Sequence, residues 1–177
     1  MAYVLIPVLT VFIISVAYIQ FFTPKAKMAV LTDFDKSILG TRLDPSLLKA
    51  QHIHADFSVF INDVQLNFND EKYFERSVFI HVEPDSDGSG GKKFHMHSTN
   101  IPLWVFFESG KMNFTEECVT SDDGSRFCGD VKFYVNGVQN SQYQNYVFKN
   151  SDKILISFNS TDINREINSV TNFSEKD

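Results

Sequence analysis

The pattern of hydrophobic and polar positions changes character along the chain. Residues 1–22 carry no charged side chain, and the run from Val4 to Ile19 is apolar almost without a break. A helix needs roughly 20 such residues to cross the hydrocarbon layer of a bilayer, so the segment is predicted to be a transmembrane helix. Pro7 falls in its first turns, where a missing N–H costs little. Tyr3 and Tyr18 lie near its two ends, where aromatic rings favour the membrane interface. The alternative is a cleaved signal peptide, but no basic n-region and no clear small-x-small cleavage site precede Thr23. Residues 23–50 then read as a tether. Within it, Asp44-Pro45 suits the start of a short helix or a simple turn.

From His52 the period becomes two. His52, His54, Asp56, Ser58 and Phe60 fall on one face of a strand, and Ile53, Ala55, Phe57, Val59 and Ile61 on the other. Asn62-Asp63 is a two-residue turn into a second alternating run. Residues 70–76 are polar and irregular, in the manner of a helical turn. Residues 77–83 read as a third strand and residues 93–98 as a fourth, separated by a Gly- and Asp-rich loop. A short apolar helix is predicted over residues 101–109, capped by Thr99 or Asn100, with Pro102 near its start and Gly110 as its stop. Asp122-Asp123-Gly124 signals a hairpin. A strand over residues 131–135 leads through Asn136-Gly137, a strong turn signal, into a short return strand. Residues 153–158 form the last strand, and the tail carries Ile163, Ile167 and Val170 at helical spacing.

These elements predict an α+β chain: one N-terminal transmembrane helix, a tether, a β-rich domain over residues 51–159, and a C-terminal tail over residues 160–177. The order of strand hairpin, helix, strand hairpin and final strand resembles a β-grasp, a small mixed sheet with one helix packed across it.

Composition narrows the function. Hydrophobic residues are 43% and charged residues 21%, which supports an ordered domain, and Phe is abundant at 18. The net charge of −6 argues against nucleic-acid binding, which needs a basic face for phosphate. No nucleophile elbow, phosphate loop or dinucleotide fingerprint occurs. Asp85-Ser86-Asp87-Gly88 starts like a calcium loop but lacks the closing Glu, and reads as a solvated turn.

The two cysteines, Cys118 and Cys128, flank the Asp-Gly hairpin. A hairpin centred there puts them on facing arms within reach of a disulfide, two free buried thiols being the alternative. A disulfide implies an oxidising compartment. Asn113-Phe114-Thr115, Asn159-Ser160-Thr161 and Asn172-Phe173-Ser174 are glycosylation sequons. Lys25 and Lys27, read by the positive-inside rule, place the domain in the cytoplasm. Two lysines weigh less than the cysteine pair and the sequons, so the domain is expected outside the cytoplasm.

The chemistry concentrates in the histidines. All 5 lie between positions 52 and 97, four of them as the pairs His52-Ile53-His54 and His95-Met96-His97. Residues two apart on a strand project from one face, roughly 6–7 Å apart, and two imidazoles so placed can converge on one metal at about 2.0–2.1 Å each. His81 has the same alternation and is an optional fifth ligand. Asp56 and Glu83 are in phase as oxygen ligands or as acceptors that orient an imidazole. Hydrogen-bonded strand histidines without a metal are the alternative. Met96 is out of phase and is assigned to the core, which argues against a Met-tuned electron-transfer copper. Imidazole donors suit copper or zinc, and residue type does not separate the two.

The run His52-Ile53-His54-Ala55-Asp56-Phe57-Ser58-Val59-Phe60-Ile61-Asn62, followed by Phe94-His95-Met96-His97, a buried helix, the Cys…Asp-Gly…Cys hairpin and Phe133-Tyr134-Val135-Asn136-Gly137, resembles a family of uncharacterised single-pass membrane proteins of archaea and small-genome bacteria. The resemblance covers roughly residues 50–158, and the Phe- and Asn-rich composition is similar to that of an ammonia-oxidising archaeon. It implies an anchored, extracytoplasmic domain and carries no assigned activity. Three functions fit: a metal-binding domain for capture, delivery or support of a membrane-protein complex; a metal-dependent enzyme with an open coordination site; or an envelope interaction module with incidental histidines.

Overall fold

Alternation of apolar and polar residues carries the strand β1 over twelve residues, Ala50–Ile61, and the rest of the domain is arranged around it. The computed structural model describes residues 30–84 and 88–173. The first half of β1 pairs antiparallel with β4 (Lys93–Ser98). Its end turns back through Asn62 and Asp63, both at positive φ, into β2 (Val64–Gln65). On its other side β1 runs parallel to β10 (Asp152–Phe158), from Ala55 opposite Asp152 to Ile61 opposite Phe158. Beyond β10 lie β8 (Val131–Val135) and β9 (Val138–Gln139), joined by the Asn136-Gly137 turn with both residues at positive φ. The geometry of both turns matches the strand twist, as two-residue hairpin turns require. At the opposite edge β3 (Ile80–His81) pairs with β4, so the order is β3-β4-β1-β10-β8-β9 with β2 beside β1.

A second, three-stranded sheet is formed by β5 (Asn113–Phe114), β6 (Cys118–Thr120) and β7 (Arg126–Cys128). Cys118 stands directly opposite Cys128, and the two are joined as a disulfide. Among the described residues three short helices complete the mixed α+β structure: α1 (Asp33–Ile38), α2 (Trp104–Ser109) and α3 (Ile163–Ser169).

One face of the large sheet holds the main core. Phe57 stacks on Phe94 with ring centroids 3.7 Å apart, and Phe106 of α2 meets Phe94 edge-on at 4.7 Å. Each such aromatic side chain, fully buried, contributes about 1.5–3 kcal/mol. Met96 is fully buried there, as its phase requires. The other face is covered at one end by α3, whose Ile163 and Ile167, with Val170, pack on Phe60, Leu155 and Tyr134. The histidines of β1 and β4 occupy the other end of that face.

Several expectations are changed by tertiary contacts. The stretch from Leu31, expected as part of a tether, belongs to the compact unit, with Asp35, Ile38 and Leu43 buried. Asp35 is the reason. It accepts hydrogen bonds from Thr32 N and Oγ1 in a capping box, and from Ser77 Oγ and Val78 N at 2.6 and 3.1 Å. Those last bonds also shorten the third strand to Ile80–His81, because the donors at its start are committed to α1 rather than to a neighbouring strand. The apolar helix starts at Trp104, later than the pattern predicts. Thr99 and Asn100 do not cap it; both donate side-chain hydrogen bonds to the Leu47 carbonyl instead. Asp44 does cap a single 3-10 turn, Pro45–Leu47.

The predicted transmembrane helix and the first part of the tether lie outside the described residues, as do Asp85, Ser86 and Asp87. Among the described residues no helix is long and apolar enough to cross a membrane.

Candidate metal centre

Three adjacent antiparallel strands build the site. In β3, β4 and β1 the register sets His81 opposite His95, and His95 opposite His54. One row of three histidines therefore crosses the sheet on one level. His52 and His97 stand a level further along their strands. Between Ala50 and Ile53 the register with β4 slips, so that two residues of β1 oppose one of β4. Such a bulge re-aims a side chain, and it lies at His52. The His52 ring stacks on that of His97 with centroids 4.8 Å apart and meets His54 edge-on at 4.6 Å. His54 lies 4.5 Å from His95, and His81 lies 5.0 Å from His97. All five imidazoles thus form one cluster.

Within it, His52, His54 and His95 each offer a ligand atom, and these atoms lie within 4.8 Å of one another. The Nε2 atoms of His52 and His54 are 3.0 Å apart, close enough for one ring to donate its proton to the other. An ion bonded at about 2.1 Å in tetrahedral geometry separates its ligand atoms by roughly 3.4 Å. The His52–His54 pair is already near that spacing. The donor set is all-imidazole, borderline in softness, and suits first-row transition ions such as zinc, copper, iron or nickel.

The surroundings hold the rings in place. The backbone of His54 is fixed on both sides: His95 pairs with it across the ladder, and its N–H donates to the Asn150 side chain at 2.9 Å. His81 is buried, and its Nδ1–H donates to the Ser77 carbonyl at 2.9 Å. Ser77 is in turn held by Asp35. The pKa of His95 is pushed down to about 4, chiefly by burial; Glu83 opposes the shift, and His54, His81 and Lys93 add to it. That of His97 is lowered by burial first and by His81 and His52 next. Neutral imidazoles present lone pairs to a cation without first losing a proton.

Glu83 stands at the edge of the cluster, its carboxylate 3.4 Å from His81 Nε2 and 3.8 Å from His95 Nε2. Asp56 is fully buried on the same strand face, where it accepts a hydrogen bond from the Phe173 backbone at 3.0 Å. The three sequon asparagines, Asn113, Asn159 and Asn172, are exposed. Sequence reasoning missed Asp35 and Ser77 as the support of His81. Thr32-x-x-Asp35 is a capping-box pattern that marks α1, but nothing local links it to a residue more than forty positions away. Comparison with protein-family models, with curated proteins and with solved structures finds no match for the chain.

Proposed function

We propose that this chain is a membrane-anchored, extracytoplasmic metal-binding protein that holds copper or zinc through His52, His54 and His95, with His97 and His81 adjoining. The observation that carries the reading is the convergence of three imidazole nitrogens from two strands within 4.8 Å. The role is capture or delivery of the ion, or support of a membrane-protein complex. Exposure of His52 beside the less exposed His54 supports exchange with solvent or a partner rather than a closed structural site. The disulfide and the exposed sequons support the extracytoplasmic side, and the uncharged run over residues 1–22 supports the anchor. The parallel pairing of the first and last long strands, with α2 packed across the sheet, supports a β-grasp-like reading of the domain.

The test is metal content. Full-length protein purified in mild detergent, stripped with chelator and dialysed against copper(II) or zinc, is expected to retain metal by elemental mass spectrometry. The His52→Ala/His54→Ala variant is expected to lose it. Absence of bound metal in the wild-type chain after both reconstitutions refutes the reading.

A further inference from the structure

Arg76 is fixed by its own backbone and left without a counter-charge. Its Nε–H donates to the Lys72 carbonyl at 2.6 Å, and its Nη2 donates to the Glu71 carbonyl at 3.2 Å. A guanidinium carries five N–H donors, so three remain, including the Nη1–Nη2 edge that can grip an oxyanion by two parallel bonds. Arg76 lines an open cleft of about 280 Å³ together with Lys72, Lys111, Tyr73 and Asp122 of the β6–β7 turn. Lys111 is set there by the chain reversal after α2: its φ is 60°, and its N–H donates to the Glu108 carbonyl at 3.0 Å. Lys72 is already neutralised, with Nζ 2.7 Å from the Asp122 carboxylate and over the Tyr73 ring at 4.7 Å. Among the described residues, Arg76 and Lys111 have no carboxylate within ion-pair distance. Two uncompensated positive charges therefore line one cleft, in a chain whose net charge is −6. Like charges held close repel, and an anion between them reverses the sign of that interaction.

We infer that this cleft binds a dianionic oxyanion of phosphate type, gripped by the free edge of Arg76 and by Lys111, with Lys72 screening Asp122. The volume lies just below the roughly 300–1,000 Å³ of pockets that enclose drug-sized ligands, which suits a single phosphoryl group, free or at the end of a headgroup, and not a nucleotide. None of the lining residues belongs to the histidine cluster, so the site is independent of the metal reading.

The experiment is isothermal titration of the chelator-stripped full chain, in mild detergent and chloride buffer of constant ionic strength, with inorganic phosphate and separately with glycerol phosphate. Saturable binding of one equivalent is expected. Lys111→Gln keeps the length of an exposed side chain and is expected to weaken binding about tenfold, the worth of one charge-assisted hydrogen bond. Arg76→Gln/Lys111→Gln is expected to abolish it, and His52→Ala/His54→Ala to leave it unchanged. Tighter binding of glycerol phosphate identifies a headgroup-type monoester as the ligand, and tighter binding of inorganic phosphate identifies the free ion. Absence of saturable binding of either probe to the wild type, or an affinity that Lys111→Gln does not change, overturns the inference.

Discussion

Replacing Glu166 by Met is expected to stabilise the protein. Glu166 lies on the inward stripe of α3, at the i+3 position between Ile163 and Ile167, and its side chain is fully buried. Neither carboxyl oxygen has a hydrogen-bond partner among the described residues. Lys132 feels its charge but gives its own ammonium to Asp130 at 2.8 Å. A buried polar group left without a partner costs about 1–3 kcal/mol by mutational measure. Methionine is unbranched, similar in length, and almost as good a helix former. It removes that cost and adds apolar contact with Leu155 and Phe60, the residues α3 packs on. The attraction to Lys132 that is lost is worth under about 1 kcal/mol for a half-exposed lysine already paired with Asp130. The net gain is therefore about 1–3 kcal/mol, or roughly 2–12 °C in Tm for a chain of this size. Urea unfolding followed by circular dichroism and by the fluorescence of Trp104, the single tryptophan, measures it as a higher midpoint at unchanged slope. Glu166→Gln, which keeps buried polar atoms, is expected to gain less. A loss of 1 kcal/mol or more in the Met variant refutes the reasoning, because it means the carboxyl makes a favourable interaction in that position.

Two further outcomes follow from the fold and the site. Opening the disulfide with Cys118→Ala/Cys128→Ala is expected to cost about 3 kcal/mol, the loop-closure value for a sequence separation of 10; a urea midpoint unchanged by the double substitution contradicts it. In the metal-free protein, His95 titrates near 4 when folded and near 6.5 when unfolded. The unfolded chain therefore takes up its proton first as pH falls. Stability is full above about pH 6.5 and is lost as pH drops towards about 4, and a stability that is flat across that window excludes a neutral, buried His95.

Local pattern was enough for the strands that carry the site. Alternation in β1 and β4 put His52 with His54, and His95 with His97, on common faces, because successive side chains of a strand point to opposite sides whatever surrounds them. Asn62-Asp63 and Asn136-Gly137 announced their turns because only residues tolerant of positive φ fit there. Cys118 and Cys128 paired because a tight hairpin brings its arms into register by itself. The helical spacing of Ile163, Ile167 and Val170 marked α3.

What the sequence could not supply was everything that depends on which strands are neighbours. The row of His54, His95 and His81 exists because β4 lies between β1 and β3, a matter of pairing between segments far apart in the chain. The bulge at His52 is set by register against β4 and leaves no mark in the alternation. Thr99 and Asn100 look like caps for α2 and are used elsewhere, since a side chain that can cap a helix can equally hold a distant carbonyl. Asp35, in a stretch expected as tether, proves to be the anchor of Ser77, and through it of His81. Residue types determined which groups were able to bind a metal; only the tertiary structure decided which of them meet, because ligand distance is a property of packing rather than of spacing along the chain.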